Sequence, residues 1–147
     1  MKTILLTLVI SFSTLFNCFS QTIEGTYSNI WTSPSGESLS YELTLNEDGT
    51  FKFTSTQSYL SSDVTTMHAE GTWKIQNYLL VLNTEGNSDA KELASRLNNS
   101  KARYVSVSPR NPNFNLMKPS LKFYKSDVFF AKEMALQKDD TTITSSN

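Results

Sequence analysis

The side chains that could carry out acid–base or metal chemistry are few in this sequence. His68 is the only histidine and Cys18 the only cysteine. The His and Cys ligands of a usual zinc site therefore cannot be assembled, and no second imidazole can act as a base. A Ser–His–Asp triad is arithmetically available, but no Gly-x-Ser-x-Gly sequence frames a nucleophile. We predict no metal site, no cofactor and no catalytic residue.

Paired carboxylates are the remaining route to catalysis. A glycosidase needs two carboxyl groups about 5 to 9.5 Å apart across its substrate, and Glu42, Glu70, Glu85 and Asp127 are candidates. Alternation along strands predicts that Glu42, Glu70 and His68 point to solvent. No Gly-rich phosphate loop and no Asp-rich calcium loop occurs in the sequence. We therefore predict that the protein is not an enzyme.

The N-terminus has the composition of a secretion signal. Lys2 precedes an apolar run over residues 4–16, which is too short to span a bilayer but has the length of a signal core. Small residues precede Gln21 at the positions that a signal peptidase recognises. We predict a signal peptide over residues 1–20, cleaved between Ser20 and Gln21.

Cys18 offers an alternative N-terminus, that of a lipoprotein with its lipid on this cysteine. Leu15 stands three residues before it, as such signals require, whereas Phe16 and Asn17 fit poorly because small residues are wanted there. Both alternatives predict export, to the periplasm or the medium in the first case and to the outer membrane in the second. No later apolar stretch approaches membrane-spanning length. Any membrane attachment is thus expected through Cys18.

Residues 21–147 have the length of one domain and carry 12 basic and 14 acidic residues. We expect a β domain over residues 21–136, followed by a disordered polar tail over 137–147. After cleavage this domain has no cysteine and hence no disulfide. Both signs of charge are expected to be interspersed without a basic stripe, so nucleic acid is not an expected partner.

A Gly-Thr-aromatic triplet occurs three times in the first half of the chain. The triplets are Gly25-Thr26-Tyr27, Gly49-Thr50-Phe51 and Gly71-Thr72-Trp73. In a strand the glycine and the aromatic residue share one face, and the threonine lies on the other. A glycine on a crowded inner face lets the strand bend and leaves room for a neighbouring ring. The triplets therefore predict a curved or closed sheet.

Period-two alternation predicts the strands around these triplets. The firmest hairpin turns at residues 46–49, and its apolar positions are Tyr41, Leu43, Leu45, Phe51 and Phe53. A second hairpin turns at residues 76–77 into Tyr78–Leu82, which is apolar on both faces and must be covered outside. One short helix near residues 90–97, with capping-box spacing between Asp89 and Glu92, is predicted as that cover.

Strand patterns continue after the helix at residues 102–107, with a closing hairpin of residues 121–124 and 128–132. About eight short strands thus follow one another in consecutive order. We predict a mainly β protein, an up-and-down antiparallel meander that forms a small barrel or half-barrel.

Three segments resemble a known family: Glu24–Tyr27, Leu43–Phe51 and Glu70–Ile75. In this order they resemble the lipocalin-like domains of small bacterial envelope proteins, including the NlpE-type stress lipoproteins. The resemblance covers residues 23–83 and implies a small antiparallel barrel. The NlpE type also carries a Cys-x-x-Cys pair that is absent here, so metal or redox sensing is not implied. True lipocalins place Gly-x-Trp on their first strand, whereas Trp73 comes later, so their ligand specificity is not implied either.

Two functions stay open. The barrel could hold a small apolar or amphipathic ligand, with the lining residues Tyr27, Tyr41, Leu43, Phe51, Phe53 and Trp73. Alternatively these rings fill the interior, and the protein is a non-catalytic interaction or structural protein of the cell envelope. It would then meet an envelope protein through a sheet face or through the loops around Trp31 and residues 109–112. The oligomeric state is open in both cases.

Overall fold

The computed structural model describes residues 22–60, 63–84, 91–108, 110–113, 116–129 and 134–139. The predicted signal peptide, its cleavage site at Ser20 and Gln21, and Cys18 lie outside these residues. The same holds for most of the predicted tail and for Asp89 of the predicted helix cap.

The described residues form eight strands and one short helix. In chain order these are β1 (Gly25–Thr32), β2 (Ser38–Leu45), β3 (Thr50–Ser58), β4 (Val64–Gln76), β5 (Leu79–Thr84), α1 (Lys91–Leu97), β6 (Ser100–Val105), β7 (Ser120–Lys125) and β8 (Ala135–Lys138). Each strand pairs with the next in antiparallel fashion, and β8 pairs with β1. The predicted up-and-down meander is confirmed, and it is a closed barrel.

Helix α1 lies where the sequence predicts a helix, but it does not cover the outer face of β5. It buries three apolar side chains, those of Leu93, Ala94 and Leu97. These side chains belong to the same core cluster as Leu80 and Leu82, whereas Val81 on the opposite face of β5 is buried outside that cluster. The helix closes part of the barrel interior, because β5 is only six residues long beside the 13 residues of β4.

The end of the chain differs from the prediction in two ways. Besides β6, strand β7 pairs with β8 at Ala135–Lys138, and residues 130–132 of its predicted partner lie outside the described residues. Val128 and Phe129 form no strand and instead bury their side chains in the core. Gln137 and Lys138, assigned above to the tail, belong to the barrel. The short β8 offers only Leu136 as a fully buried side chain, which is too little alternation to mark a strand.

Gly71 is required by a close approach of two strand backbones. A Cβ atom at this position would lie 2.2 Å from the carbonyl oxygen of Asn83 and 2.9 Å from the Cα of Thr84 on β5. The room that this glycine makes is thus for the backbone of β5, not for a neighbouring ring as predicted. Gly49 serves differently, because it lies in the β2–β3 turn with a φ of +83°, a conformation that favours glycine.

The turn before β3 is fixed by one carboxylate. The backbone N–H of Thr50 donates to Asp48 Oδ1 over 2.9 Å, and the Thr50 hydroxyl donates to the same oxygen over 2.6 Å. These hydrogen bonds to the charged form, the side-chain bond above all, lower the pKa of Asp48 below its usual value of 3.8.

Charge is distributed unevenly along the chain, so the expectation of interspersed signs was wrong. Residues 21–92 carry 10 acidic and 3 basic side chains, whereas residues 93–126 carry 7 basic and no acidic side chains. Strands β6 and β7 come from this second segment and pair with each other. Folding therefore collects basic residues on one side of the barrel, which the total charge conceals.

Substituting Gly71→Ala is expected to lower the free energy of unfolding by about 2 kcal/mol or more, because the two backbones must separate to admit the methyl group. Urea unfolding followed by circular dichroism measures this loss. Thr72→Ala, on the exposed outer face of the same strand, is the matched control and should cost less than about 1 kcal/mol. Equal losses in both variants would contradict the close approach.

Substituting Asp48→Asn removes a carboxylate whose pKa is lower in the folded than in the unfolded chain. The stability that this carboxylate contributes is present above pH 3.8 and is lost as the pH falls through the folded value. Wild type should therefore have the higher urea midpoint at neutral pH. The difference between the two midpoints should shrink as the pH falls below 3.8. Glu47→Gln in the same turn is the control. A difference independent of pH would exclude the proposed role of Asp48.

Candidate functional site

Cross-strand register arranges the inward-facing residues of β1 to β4 in layers. One layer consists of Tyr27, Leu43, Phe53 and Ala69. The next layer toward the β1–β2 loop consists of Asn29, Tyr41, Ser55 and Met67. Four of these positions, Tyr27, Tyr41, Leu43 and Phe53, were predicted to line the interior, and their side chains do face it.

These predicted lining residues pack against the core. Tyr27, Leu43, Phe51 and Phe53 are each at most 1% exposed, and Tyr41 is 5% exposed. A water-sized space beside a side chain would leave it accessible surface, so the structure leaves no such space around the first four. Their role in lining a ligand stays a prediction.

An aromatic cluster occupies the interior between β2, β3 and β7. The ring of Phe129 meets Tyr41 edge-on with a centroid distance of 5.1 Å and Phe53 at 6.0 Å. It also lies 4.5 Å from the ring of Phe123, and Tyr41 stacks on Phe53 at 5.8 Å. Offset and edge-to-face contacts of this kind add to the stabilisation from burial. Phe129 therefore acts as a plug supplied by the segment between β7 and β8.

Trp73 does not lie in this cluster. It is partly buried and packs at the edge of the core. Its indole N–H donates to the carbonyl oxygen of Asn46 over 3.0 Å, and its backbone N–H donates to that of Gly49 over 2.8 Å. Trp73 thus fastens β4 to the β2–β3 turn.

Helix α1 is tied to the segment that follows β7. The Arg96 guanidinium donates from Nε and Nη2 to the carbonyl oxygen of Asp127, over 3.0 and 2.6 Å. The hydroxyl of Ser100 donates to that of Ser126 over 2.9 Å. The Arg96 bonds hold the helix, and the Ser100 bond holds the start of β6, to Ser126 and Asp127 at one end of the barrel.

A pocket of about 330 Å³ lies between β4 and α1. Its lining residues are Met67, Lys91, Glu92, Leu93 and Arg96. The N-terminal half of β4 pairs only with β3, because the pairing of β4 with β5 begins at Gly71. The pocket occupies the side of β4 that β5 leaves open and that α1 approaches.

The lining of this pocket combines an apolar wall with charged groups. Met67 and Leu93 supply the apolar wall, and Lys91 and Arg96 outnumber Glu92 among the charged groups. Burial raises the pKa of the Tyr41 phenol, and the positive charge of Arg96 opposes that rise. Such a lining suits a ligand with an apolar body and an anionic group.

A second group of polar side chains lies at the opposite end of the barrel. Lys138 Nζ donates to the carbonyl oxygen of Thr22 over 2.7 Å and lies 5.8 Å from the centroid of the Tyr27 ring. The Tyr27 hydroxyl donates to the carbonyl oxygen of Ile23. Burial raises the pKa of Tyr27 and lowers that of Lys138. These bonds end on backbone carbonyls, so they fix the segment that precedes β1.

The other candidate chemical groups lie on the outer face. His68 is exposed and its Nδ1 is 3.2 Å from the Thr54 hydroxyl. Glu42 and Glu70 are exposed on strands that β3 separates, and Lys52 Nζ is 3.6 Å from Glu70 Oε1. The predicted outward orientation of His68, Glu42 and Glu70 is confirmed. Within the described ranges, no three His, Cys, Asp or Glu side chains come together as metal ligands.

Sequence reasoning missed the residues of the pocket. The alternation of β4 places Met67 on the same face as Ala69 and Gly71, but its exposure depends on where β5 stops. Lys91 and Arg96 belong to a helix whose docking side was predicted wrongly. The signal that could have located the pocket is the unequal length of the two apolar patterns that became β4 and β5.

Comparison with known proteins identifies a family for this chain. A family model described as the NlpE N-terminal domain matches residues 27–107, which is more than half of the 147 residues. The match covers most of β1, all of β2 to β6 and the pocket beside α1. No curated protein and no solved structure matches the chain. In the part of the chain that the structure describes, no helix is long and apolar enough to cross a membrane.

Substituting Phe129→Ala removes the plug and three ring contacts, so it should lower the free energy of unfolding by about 3 to 5 kcal/mol. Urea unfolding measures this change. Leu116→Ala removes an apolar side chain that is 83% exposed and should change stability by less than about 0.5 kcal/mol. A Phe129→Ala variant as stable as wild type would show that the interior is not packed around this ring.

Proposed function

Since the chain belongs to the family of the NlpE N-terminal domain, we propose that it is a non-catalytic protein of the cell envelope that binds one small amphipathic ligand beside α1. The family is one of cell-envelope lipoproteins. The observation that carries the proposal is the pocket of about 330 Å³ between β4 and α1. Its volume falls at the lower end of the range of small-molecule sites, about 300 to 1,000 Å³.

The ligand is placed in this pocket and not among the core rings because of their packing. Tyr27, Leu43, Phe51 and Phe53 have neighbours on all sides, so an apolar ligand would have to displace side chains that already bury their surface. Met67, by contrast, is 38% exposed although it faces inward. Tyr41 lies in the same layer as Met67 and is therefore the predicted lining residue that the ligand would approach.

The charged groups define the chemical class of the ligand. Lys91 and Arg96 supply two positive charges against one negative charge from Glu92. An anionic head group would rest between them, and the apolar body would cover Met67 and Leu93. A long-chain carboxylate has this combination of groups.

The second candidate function is that of an envelope interaction or structural protein without a small ligand. The specific observation in its favour is the self-filled interior, in which Phe129 and the rings of Tyr41, Phe53 and Phe123 contact one another. The two functions differ in what they predict for the wall of the pocket. Only in a ligand-binding protein should a charge placed at Met67 change the affinity for a small amphipathic ligand.

The full-length protein is expected to bind a dansyl-labelled long-chain fatty acid, with an increase in dansyl fluorescence on titration. Met67→Glu places a carboxylate on the apolar wall, where it would be buried against the apolar body of the ligand. Binding should weaken about tenfold or more, and a factor of ten corresponds to about 1.4 kcal/mol. Lys91→Gln removes one positive charge and should weaken it less.

Thr66→Glu is the matched control, since it adds the same charge at the neighbouring position on the outer face of β4 and should leave the affinity within about twofold. Urea midpoints of all variants establish that each is folded. If the wild type does not bind the probe, or if Met67→Glu and Thr66→Glu weaken binding equally, the pocket is not the site. The self-filled interaction protein is then the better account.

A further inference from the structure

Two pairs of like charges face each other directly on β6 and β7. Lys101 is the cross-strand partner of Lys125, and Arg103 is the partner of Lys122. Like charges directly opposite each other destabilise a sheet. At Lys101 and Lys125 the fold therefore carries a repulsion that a negatively charged surface would relieve, whereas the Arg103 guanidinium lies 5.5 Å from the centroid of the Tyr124 ring.

The row of positive charge continues onto the neighbouring strands. Lys101 is also paired with Val81 of β5, and Val81 is paired with Lys74 of β4. Among the described residues, Lys74, Lys101 and Lys125 take part in no ion pair. We call the outer surface formed by these side chains the basic face; its members are Lys74, Lys101, Arg103, Lys122 and Lys125.

Exposed apolar side chains lie at one end of this basic face. They come from the β4–β5 turn and from the end of β6 with the following loop, and we call them the apolar tip: Tyr78, Val105, Leu116 and Met117. Leu116 is 83% and Met117 51% exposed. The backbone N–H groups of both residues donate to the carbonyl oxygen of Asn113. These two bonds fix the backbone of Leu116 and Met117, whose side chains face solvent.

Tyr78 is kept at the tip at a conformational cost. It is 93% exposed and has a φ of +62°, next to Asn77 with a φ of +51°. Two-residue hairpin turns with positive φ at both positions favour Asn-Gly. A bulky aromatic residue in this conformation is strained. Neither burial nor backbone geometry explains why a tyrosine stands at this position. Contact with a membrane–water interface would explain it, because tyrosine has an apolar ring and a polar hydroxyl.

We propose that the apolar tip and the basic face together dock onto an anionic lipid bilayer. Arg103 stands two residues before Val105 on β6, about 7 Å along the strand. Side chains at the tip that enter the interface to about 5 to 10 Å would bring Arg103 and Lys122 level with the phosphate groups. A bilayer offers apolar and anionic layers in this order, whereas an acidic protein surface would leave the tip in water.

The N-terminal segment meets the barrel at the same end. β1 begins and β8 ends at the end where β6 leads into its loop, and Lys138 holds Thr22 there. Cys18 precedes Thr22 by four residues, so an acyl group on this cysteine would enter the same bilayer. The pocket beside α1 lies toward the other end. Docking therefore does not depend on the proposed ligand.

Flotation with lipid vesicles tests the docking surface. A chain that begins at Gln21, the predicted mature N-terminus, lacks both Cys18 and the apolar run of residues 4–16, so any vesicle binding must come from the folded domain. We expect it to bind vesicles of phosphatidylcholine mixed with an equal amount of phosphatidylglycerol, and not vesicles of phosphatidylcholine alone. Binding should weaken as salt is added, because exposed charges are screened.

Lys101→Glu should weaken vesicle binding about tenfold or more. Each basic side chain near the membrane surface is attracted to the anionic lipid, and this substitution replaces an attractive charge by a repulsive one. The same substitution turns a like-charge pair into an opposite-charge pair with Lys125, so its urea midpoint should not fall below that of wild type. Loss of binding therefore cannot be attributed to unfolding. Leu116→Ser should weaken binding as well, since it removes an exposed apolar contact.

Lys52→Glu on β3 is the control for net charge, because it makes the same change four strands away from β7 and should leave binding within about twofold. Since it places a carboxylate opposite Glu70, its urea midpoint is measured to establish that the variant is folded. The proposal is overturned if the protein binds neither kind of vesicle or both equally, or if Lys101→Glu and Lys52→Glu weaken binding alike. Binding to soluble polyglutamate in place of vesicles would also overturn it and would indicate an acidic protein partner.

Discussion

Pairing of β8 with β1 is the interaction on which the rest of the structure depends, because it leaves the meander without a terminal edge. The contact is short, with Tyr27 opposite Lys138 and Ser28 opposite Gln137. Two further hydrogen bonds extend it, from the Ser28 hydroxyl to Asp139 Oδ1 and from the Asp139 backbone N–H to the carbonyl oxygen of Thr26. Closure fixes the space inside, and the inward side chains of every strand must then fill it.

The pocket follows from a mismatch within that closed sheet. β4 has 13 residues and β5 has six, so the first half of β4 has no strand partner on the β5 side. A short helix fills part of the gap with Leu93, Ala94 and Leu97 and leaves the rest open beside Met67. A seven-residue helix is marginal by itself, and α1 depends on its burial and on the Arg96 bonds to Asp127. The candidate site thus lies where the regular sheet is interrupted.

Strands β2 and β3 could be predicted because each has one buried face, so residues such as Leu43 and Phe53 alternate with polar neighbours. Val128 and Phe129 resemble the start of a strand in sequence, yet they serve as a plug, since burial alone does not distinguish the two. The pocket and the basic face depend on register across strands that are distant in sequence. Lys101 and Lys125 stand 24 residues apart, and only the bulge between Lys101 and Ala102 brings them opposite each other.

Both ends of the described chain emerge from the same pole of the barrel, where Asp139 bonds to Thr26 and Lys138 to Thr22. Ends this close can be joined by a short linker, so a circular permutant opened at another loop should keep the same topology. An affinity tag or fused domain at either end would hang from this pole and stand between the apolar tip and any surface it approaches. Attachments meant to leave the tip accessible belong instead at the far pole, in the β1–β2 loop.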